Sequence, residues 1–299
     1  MKEIVNKLGQ TEKEFLKNYD SNKYEKPSVT VDMLIFTVDE KENENYRKLN
    51  DKELKILLIK RADHPYIGQW GIPGGFVGMN ETLDDAAQRE LYEETNIKDV
   101  YLEQLYTWGD VERDPRMRVI STSYMALVNK DLLDVKAGDD ACDAKWFSVN
   151  KKVLSELKKN TNNGYILETR IELILKHEDI ILKSIIKKEE IIENKIRKTN
   201  IIIEENDGIA FDHSKIIDYA LDRLKNKVQY TDIAFNLMPD LFTLAELQQV
   251  YSILLDRELL TPQFRRDIKH MLIETNETTK NFGHRPAKLY RFNIERKGV

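Results

Sequence analysis

Nine residues stand at fixed intervals between positions 75 and 97. Gly75, Glu81, Arg89, Glu90, Leu91, Glu93, Glu94, Asn96 and Ile97 follow the spacing G-x5-E-x7-R-E-U-x-E-E-x-N-U, where U is apolar. A helix turns by about 100° per residue, so Glu90, Glu93 and Glu94 share one face and can converge on one cation. Three carboxylates that close repel one another unless positive charge intervenes. A hard divalent ion, Mg²⁺ or Mn²⁺, removes that cost and keeps open positions for phosphate oxygens. The turn Pro73-Gly74-Gly75 lets backbone approach closely and offer a carbonyl to the ion, while Arg89 can pair with Glu81 across the loop and hold the acidic helix in place. A metal bridging a diphosphate lowers the pKa of a bound water, so the implied reaction is metal-dependent hydrolysis of a pyrophosphate bond.

The flanking elements must position that group. Residues 28–38 (SVTVDMLIFTV) and 54–60 (LKILLIK) are β-branched, apolar runs of strand length, separated by the polar loop DEKENENYRKLNDKE. The turn-rich stretch HPYIGQWGIPGGFVG follows, then a helix for which Thr82 is the expected N-cap with Asp85 three residues on. Strand-like runs at 100–107, 118–128 and 144–149 complete an α/β pattern with one central helix. Residues 151–207, heavy in Ile, Lys and Glu, fit amphipathic helices or a β-hairpin, and periodicity does not choose between them. Asp212 is the expected cap of a helix whose stripe is Ile216, Ile217, Ala220, Leu221 and Leu224.

The end of the chain carries other signals. Thr243 and Glu246 form a capping box and Phe242 and Leu247 a hydrophobic staple, which starts a helix at Thr243. Thr261 as N-cap and Pro262 at the first helical position open a second, basic helix, and residues 274–292 read as a hairpin. Helix, short turn, basic helix and hairpin is the order of a winged helix-turn-helix.

Over 299 residues the net charge is -5, which alone disfavours a nucleic-acid partner, but nine Lys/Arg against four acids make the segment from Pro262 onward +5 and leave -10 before it. The single Cys142 excludes an internal disulfide framework, and five scattered His argue against a zinc site. No run reaches the roughly 18 apolar residues of a membrane span, and the charged N-terminus lacks a signal-peptide core, so a cytoplasmic location and no membrane partner are expected.

The spaced residues resemble the Nudix box, whose pattern G-x5-E-x7-R-E-U-x-E-E-x-G-U is matched at every catalytic position; Asn96 stands where the family has Gly. Asn is the next most tolerant residue for a left-handed helix end, so the motif is expected to keep its fold. The resemblance implies a Nudix α/β/α sandwich, with Gly75, Glu90, Glu93 and Glu94 as metal ligands and Arg89 and Glu81 as supports. The segments YTWGDVERDPRMRVISTSYMALV, GDDACDAKWFSV and GIAFDHSKIIDYALDRLKNKVQY resemble Nudix proteins acting on ADP-ribose. Residues 234–274 with GHRPAKLYRF resemble the winged helix of the Nudix-related transcription regulators. The implied architecture is a Nudix domain over 1–227, with an insertion at about 151–207, and a winged helix-turn-helix over 228–299. A homodimer is implied by the same resemblance.

Two functions follow. The first is a Mg²⁺- or Mn²⁺-dependent hydrolase of ADP-ribose or another nucleoside diphosphate derivative; the second is an ADP-ribose-sensing repressor that binds double-stranded DNA. Asp110, Glu112 and Asp114 supply further carboxylates after the box. Arg113, Arg116 and Arg118, with Asp114, are candidates to grip the substrate phosphates, against the alternative of ion pairing with neighbouring acids. Phe76, Tyr106 and Trp108 are candidates to stack adenine or to fill the core, and His213 to face the ligand or to pack. Arg265, Arg266 and Lys269 on the basic helix, with Arg285 and Lys288 of the hairpin, are the candidate DNA contacts, against a dimerisation or scaffolding role for that domain.

Overall fold

A computed structural model describes residues 4–41, 51–98, 100–130, 141–279 and 286–295, with backbone alone at 141 and 142. After an exposed helix α1 (Glu12–Asn18), the chain enters the central strand β1 (Ser28–Glu40). Its neighbours are β2 (Lys52–Arg61) and, running parallel, β6 (Val119–Leu127). Two short strands, β3 (Trp70–Gly71) and β4 (Gly74–Phe76), pair with β2 and β1, and β5 (Tyr101–Trp108) closes one edge beside β6.

Residues 31–38 of β1 are buried throughout, as a strand covered on both faces must be. Because side chains alternate, each central strand feeds two cores. Val31, Met33 and Ile35, with Leu57, Tyr124 and Ala126, pack against Ala86, Ala87 and Leu91 of the box helix α2 (Leu83–Thr95). On the opposite face, Leu34 and Phe36, with Ile56, Leu58, Met125 and Leu127, meet Ile216, Ile217, Ala220 and Leu224 of α3 (His213–Lys227). This is the expected α/β/α arrangement.

The segment left open between helices and a β-hairpin contains no helix and is a run of successive hairpins. It extends β7 (Ala141–Thr161) and continues through β8 (Gly164–His177), β9 (Ile180–Glu193) and β10 (Ile196–Asp207), all antiparallel. The sheet thereby reaches ten strands, in the order β10-β9-β8-β7-β2-β1-β6-β5 with β3 and β4 off this path. Alternation drives the choice. Ile171, Leu173, Leu175, Leu182 and Ile186 fall on the α3 side and are buried, while the Lys and Glu between them pair across strands, Lys183 with Glu172 at 2.8 Å and Lys187 with Glu168 at 3.1 Å. Two-residue turns join the strands, with Glu178 (φ 49°) and Asn194 (φ 53°) in the left-handed region that such hairpins require.

The C-terminal part contains α4 (Leu244–Leu255), α5 (Thr261–Ile268) and the hairpin β11 (Leu272–Thr278) and β12 (Lys288–Phe292), the elements of a winged helix. The capping box forms as expected, with the Glu246 amide donating to Thr243 Oγ1 at 3.2 Å. Helix α5 starts one residue early: Leu260 holds the cap position, Thr261 is already helical, and the Thr261 hydroxyl instead accepts from Gln248 Nε2 at 3.1 Å. Phe235, Phe242, Leu247, Val250, Leu254 and Phe264 belong to the same buried cluster as Leu34, Phe36 and Phe147 of the sheet. The winged helix therefore shares a core with the Nudix sheet. Among the described residues no helix is long and apolar enough to cross a membrane.

Candidate functional site

Helix α2 begins with the expected Thr82–Asp85 capping box and ends on Asn96 in the left-handed conformation (φ 57°, ψ 22°), whose amide donates to the Tyr92 carbonyl at 2.7 Å. Asn96 thus does the conformational work expected of glycine there. Between these ends, Arg89 is the hub. Its Nη2 lies 2.9 Å from Glu81 Oε1 and donates to the Phe76 carbonyl at 3.2 Å, and its Nη1 reaches Glu90 Oε1 at 2.7 Å and Glu93 Oε2 at 3.2 Å. Glu81 also accepts from the Gly78 amide at 2.7 Å. These bonds, the one from Arg89 first, hold the Glu81 carboxyl below the usual carboxylate range.

Glu90 is buried, and burial pushes its carboxyl up despite the neighbouring guanidinium. Its carboxylate rests directly on Gly75, where an added Cβ would stand 2.1 Å from Glu90 Oε1. Only glycine leaves that seat open. An all-oxygen set of Glu90, Glu93, buried Glu94 and the Gly75 carbonyl fits a hard divalent ion by its chemistry. The expected ligand triad, however, is not assembled: among the described residues no three His, Cys, Asp or Glu side chains group closely enough to hold a metal ion. Arg89 supplies the positive charge between Glu90 and Glu93, and half-exposed Glu93 leans to it.

The arginines after β5 take three separate places. Arg113 is the most buried, its side chain 6% exposed, and it forks onto Asp212 with Nε–Oδ2 3.0 Å and Nη2–Oδ1 2.8 Å, then reaches Asp32 at 3.3 Å. Burial disfavours its charge, but the hydrogen bonds and charges of Asp212 and Asp32 outweigh that and raise its pKa. Arg118 donates to the carbonyls of Gly109 at 2.8 Å and Asp110 at 3.0 Å, tying the loop to itself. Arg116 reaches solvent. It forks onto Asp114 at 3.0 and 2.8 Å, and its guanidinium stands 5.9 Å from the Phe76 ring and 6.0 Å from the Phe211 ring. Burial pushes Asp114 up, yet its hydrogen bonds to Arg116 and the charges of Arg116 and Arg113 hold it below its ordinary value. Asp110 pairs with Lys215 at 3.3 Å and Glu112 is exposed.

Phe211, Arg61 and Tyr66 join this rim from distant segments, Arg61 lying 4.9 Å over the Phe211 ring and Tyr66 packing on it at 4.6 Å. The sequence reading passed over all three. The only local sign is the pair of turn-rich stretches HPYIG and GIAFDH, which carry Tyr66 and Phe211; Arg61 ends β2. Guanidinium groups over aromatic rings beside Gly75 can hold an anion next to a planar base. Trp108 instead fills the core on the α3 side, its Nε1 donating to Ser123 Oγ at 3.0 Å, and half-exposed Tyr106 packs on it at 4.9 Å.

Helix α3 does not start as expected. Asp212 sits at the N-cap position without a capping bond, because its carboxylate is turned to Arg113. His213 is buried: its Nδ1 accepts the Ile72 amide at 3.0 Å, and burial lowers its pKa. The N-terminal end of α3 is thereby fastened both to the Arg113 loop and to Ile72, between β3 and β4.

On the winged helix, α5 buries Phe264 and Ile268 and exposes Arg265 and Arg266, with exposed Lys269 just past its end. Lys288 is also exposed and pairs with Glu274 across the hairpin. Arg285 lies outside the described residues.

Comparison with known proteins finds two matched regions. Residues 47–168 match the NUDIX domain and residues 234–292 the NrtR DNA-binding winged helix domain. An ADPR responsive transcriptional repressor NtrR of Acinetobacter baylyi is 32% identical over 289 residues, which is 95% of this chain and 90% of that one. An ADP-ribose pyrophosphatase of Methanocaldococcus jannaschii is 38% identical over 141 residues, 46% of this chain and 73% of the relative. Among solved structures, Shewanella oneidensis NrtR complexed with a 27mer DNA has a TM-score of 0.57 at 25% identity, covering 89% of this chain and 93% of that one.

Proposed function

Because the chain belongs to the family of Nudix proteins that carry an NrtR-type winged helix, we propose that it is an ADP-ribose-responsive transcriptional repressor. The Nudix part, 1–227, takes ADP-ribose, and the winged helix, 228–299, binds double-stranded DNA. The observation that carries this reading is the construction of α3. Its N-terminal end fastens the Arg113 loop and Ile72, just before the Gly75 turn, and its last buried residue, Leu224, lies in the core cluster that holds Phe235, Leu247 and Val250 of the winged helix. A ligand that shifts the Arg116–Phe76–Phe211 rim shifts the start of α3, and a rigid helix passes that change to the DNA-binding part. Arg265, Arg266, Lys269, Arg285 and Lys288 give the basic surface on which phosphates are neutralised.

The test is fluorescence anisotropy of a duplex from the operator region of its own operon, with and without ADP-ribose. Affinity that drops on adding ADP-ribose supports the reading. DNA binding indifferent to ADP-ribose, or no binding at low salt, overturns it.

A hydrolytic activity is the second reading, favoured by the box, which keeps Glu81, Arg89, Glu90, Glu93 and Glu94, and by the pyrophosphatase relative. Glu90, Glu93, Glu94 and the Gly75 carbonyl would hold Mg²⁺ or Mn²⁺, which supplies Lewis acidity and a water nucleophile at neutral pH. Arg89 must then release Glu90 and Glu93 while keeping Glu81, and Arg116 orients the diphosphate. Release of AMP from ADP-ribose with Mg²⁺, abolished in Glu94→Gln, supports turnover; no AMP leaves the sensor alone.

A further inference from the structure

Strands β5 and β10 are the opposite ends of the strand order, yet residues of both line one cleft that runs over the outward side of α3. Tyr106, Thr107 and Trp108 are consecutive in β5, and Thr199, Asn200 and Ile201 are consecutive in β10. Successive side chains of a strand point to opposite faces, so three in a row at one cleft mean that each strand meets it edge-on. The inserted hairpins therefore curl the sheet around α3 until its two edges face each other, with the helix as floor. The cleft has a volume of about 620 Å³, within the roughly 300–1,000 Å³ of small-molecule sites. Its lining shares no residue with the Arg116–Phe76–Phe211 rim.

The floor is patterned. Lys215, Tyr219 and Arg223 recur every four residues of α3, so they form one stripe in which neighbours stand about 6 Å apart along the axis. Above it, half-exposed Tyr106 packs on Tyr219 at 5.3 Å and on Trp108 at 4.9 Å. Three carboxylates also line the cleft, and each already has a cation: Asp222 takes Lys151 and Lys188, Glu190 takes Arg197 at 2.6 Å, and Asp110 takes Lys215 at 3.3 Å. Arg223 is less committed. Among the described residues its carboxylate partner is Glu103 at 3.7 Å, beyond hydrogen-bond reach, and Glu103 is itself held by Lys227 at 2.6 Å.

We propose that this cleft is a second ligand site, separate from the rim, and that it takes a mononucleotide. The base lies against Tyr106 and Tyr219, and the phosphate meets the free fork of Arg223 one turn further along α3. One aromatic patch and one guanidinium with capacity to spare suit one ring and one phosphate. The remaining lining fits what joins them: Thr107, Thr199 and Asn226 are neutral donors and acceptors for ribose hydroxyls, and two strand edges add unpaired main-chain groups for the heteroatoms of a base. A ring carrying only a carboxylate would leave most of these groups without a partner.

Calorimetric titration of AMP into the full chain, with EDTA present, tests this. A binding event is expected that Tyr106→Ala and Arg223→Gln, both at half-exposed positions, each weaken by about tenfold or more with unchanged circular dichroism. Arg223→Lys, which keeps the charge and loses the fork, is expected to fall between Arg223→Gln and the unmodified chain. Adenosine and ribose 5-phosphate, each with half of the contacts, are expected to bind more weakly than AMP. Arg116→Gln tells the two sites apart, because it alters the rim alone and is expected to leave the cleft's affinity for AMP within about twofold. No binding of AMP up to about 5 mM, binding indifferent to both Tyr106→Ala and Arg223→Gln, or binding that is lost in Arg116→Gln would each overturn the proposal.

Discussion

Two arginine-centred networks flank the same rim, and they are built differently. Arg89 binds Glu81, Glu90 and Glu93, all within eight residues, and is 36% exposed, with Glu93 51% exposed. Arg113 binds Asp32 and Asp212, which lie 81 and 99 residues away, and the three side chains are only 6 to 11% exposed. The first network is partly open to water: Arg89, Glu81 and Glu93 reach solvent and can trade partners, and only Glu90 is buried. The second is desolvated, so each charge depends on the others remaining in place. The contrast separates a site that can accept a ligand from a brace that holds the rim and α3 together.

The largest effect should come from breaking the brace. Arg113→Met leaves Asp32 and Asp212 as unpaired buried carboxylates, and about 3–5 kcal/mol of stability should be lost in a urea melt. Arg89→Met should cost less in the same melt, because it leaves only Glu90 buried without its guanidinium, and burial already pushes that carboxyl toward its neutral form. Equal losses would erase the distinction. Next, Gly75→Ala drives a methyl into the Glu90 carboxylate, so ADP-ribose affinity by calorimetry should collapse while the melting temperature changes little; a variant that binds normally would show that Glu90 has room elsewhere. Asp212→Asn keeps the shape but weakens the tie to Arg113. ADP-ribose and DNA should each still bind, while the effect of one on the affinity of the other shrinks in both directions, as linkage requires. A mutant with full coupling would remove α3 from the path.

The smallest effect concerns pH. His213 faces Asp32, Asp212, Arg113 and Arg61, and burial holds its folded pKa below the unfolded value of about 6.5. Below that value the unfolded chain binds a proton that the folded chain does not, so this residue makes stability fall as pH drops from 7 toward 5. The slope of melting temperature against pH in this range should be shallower in His213→Gln; an unchanged slope would mean that the imidazole takes up its proton while folded.

The box was readable residue by residue because its contacts are local. Arg89 to Glu81, the Thr82 cap and the Asn96 helix end depend on spacing along one loop and helix, and they form as the spacing predicts. The Thr243 capping box was legible for the same reason. The segment at 151–207 was not, because Ile, Lys and Glu serve helices and strands alike; its clearest signs were the short polar turns at 162–163, 178–179 and 194–195, evenly spaced and easily overlooked. Asp212 misled in another way. Its place before a helix is that of a cap, and nothing nearby in the chain announces Arg113 as the stronger partner.

By itself the sequence determined the chemistry available: an acidic loop-helix able to attract a hard cation, a run of arginines after it, and a basic end separate from the acidic part. The tertiary structure decided how those groups are spent. It gave Arg113 to a buried brace and left Arg116 at the rim, put Arg89 between the carboxylates expected to share a metal, and merged two domains around one core. The reason is distance along the chain. Contacts within one turn or loop follow from spacing, whereas a charge buried against residues 81 or 99 positions away finds its partner only after the sheet has brought them together.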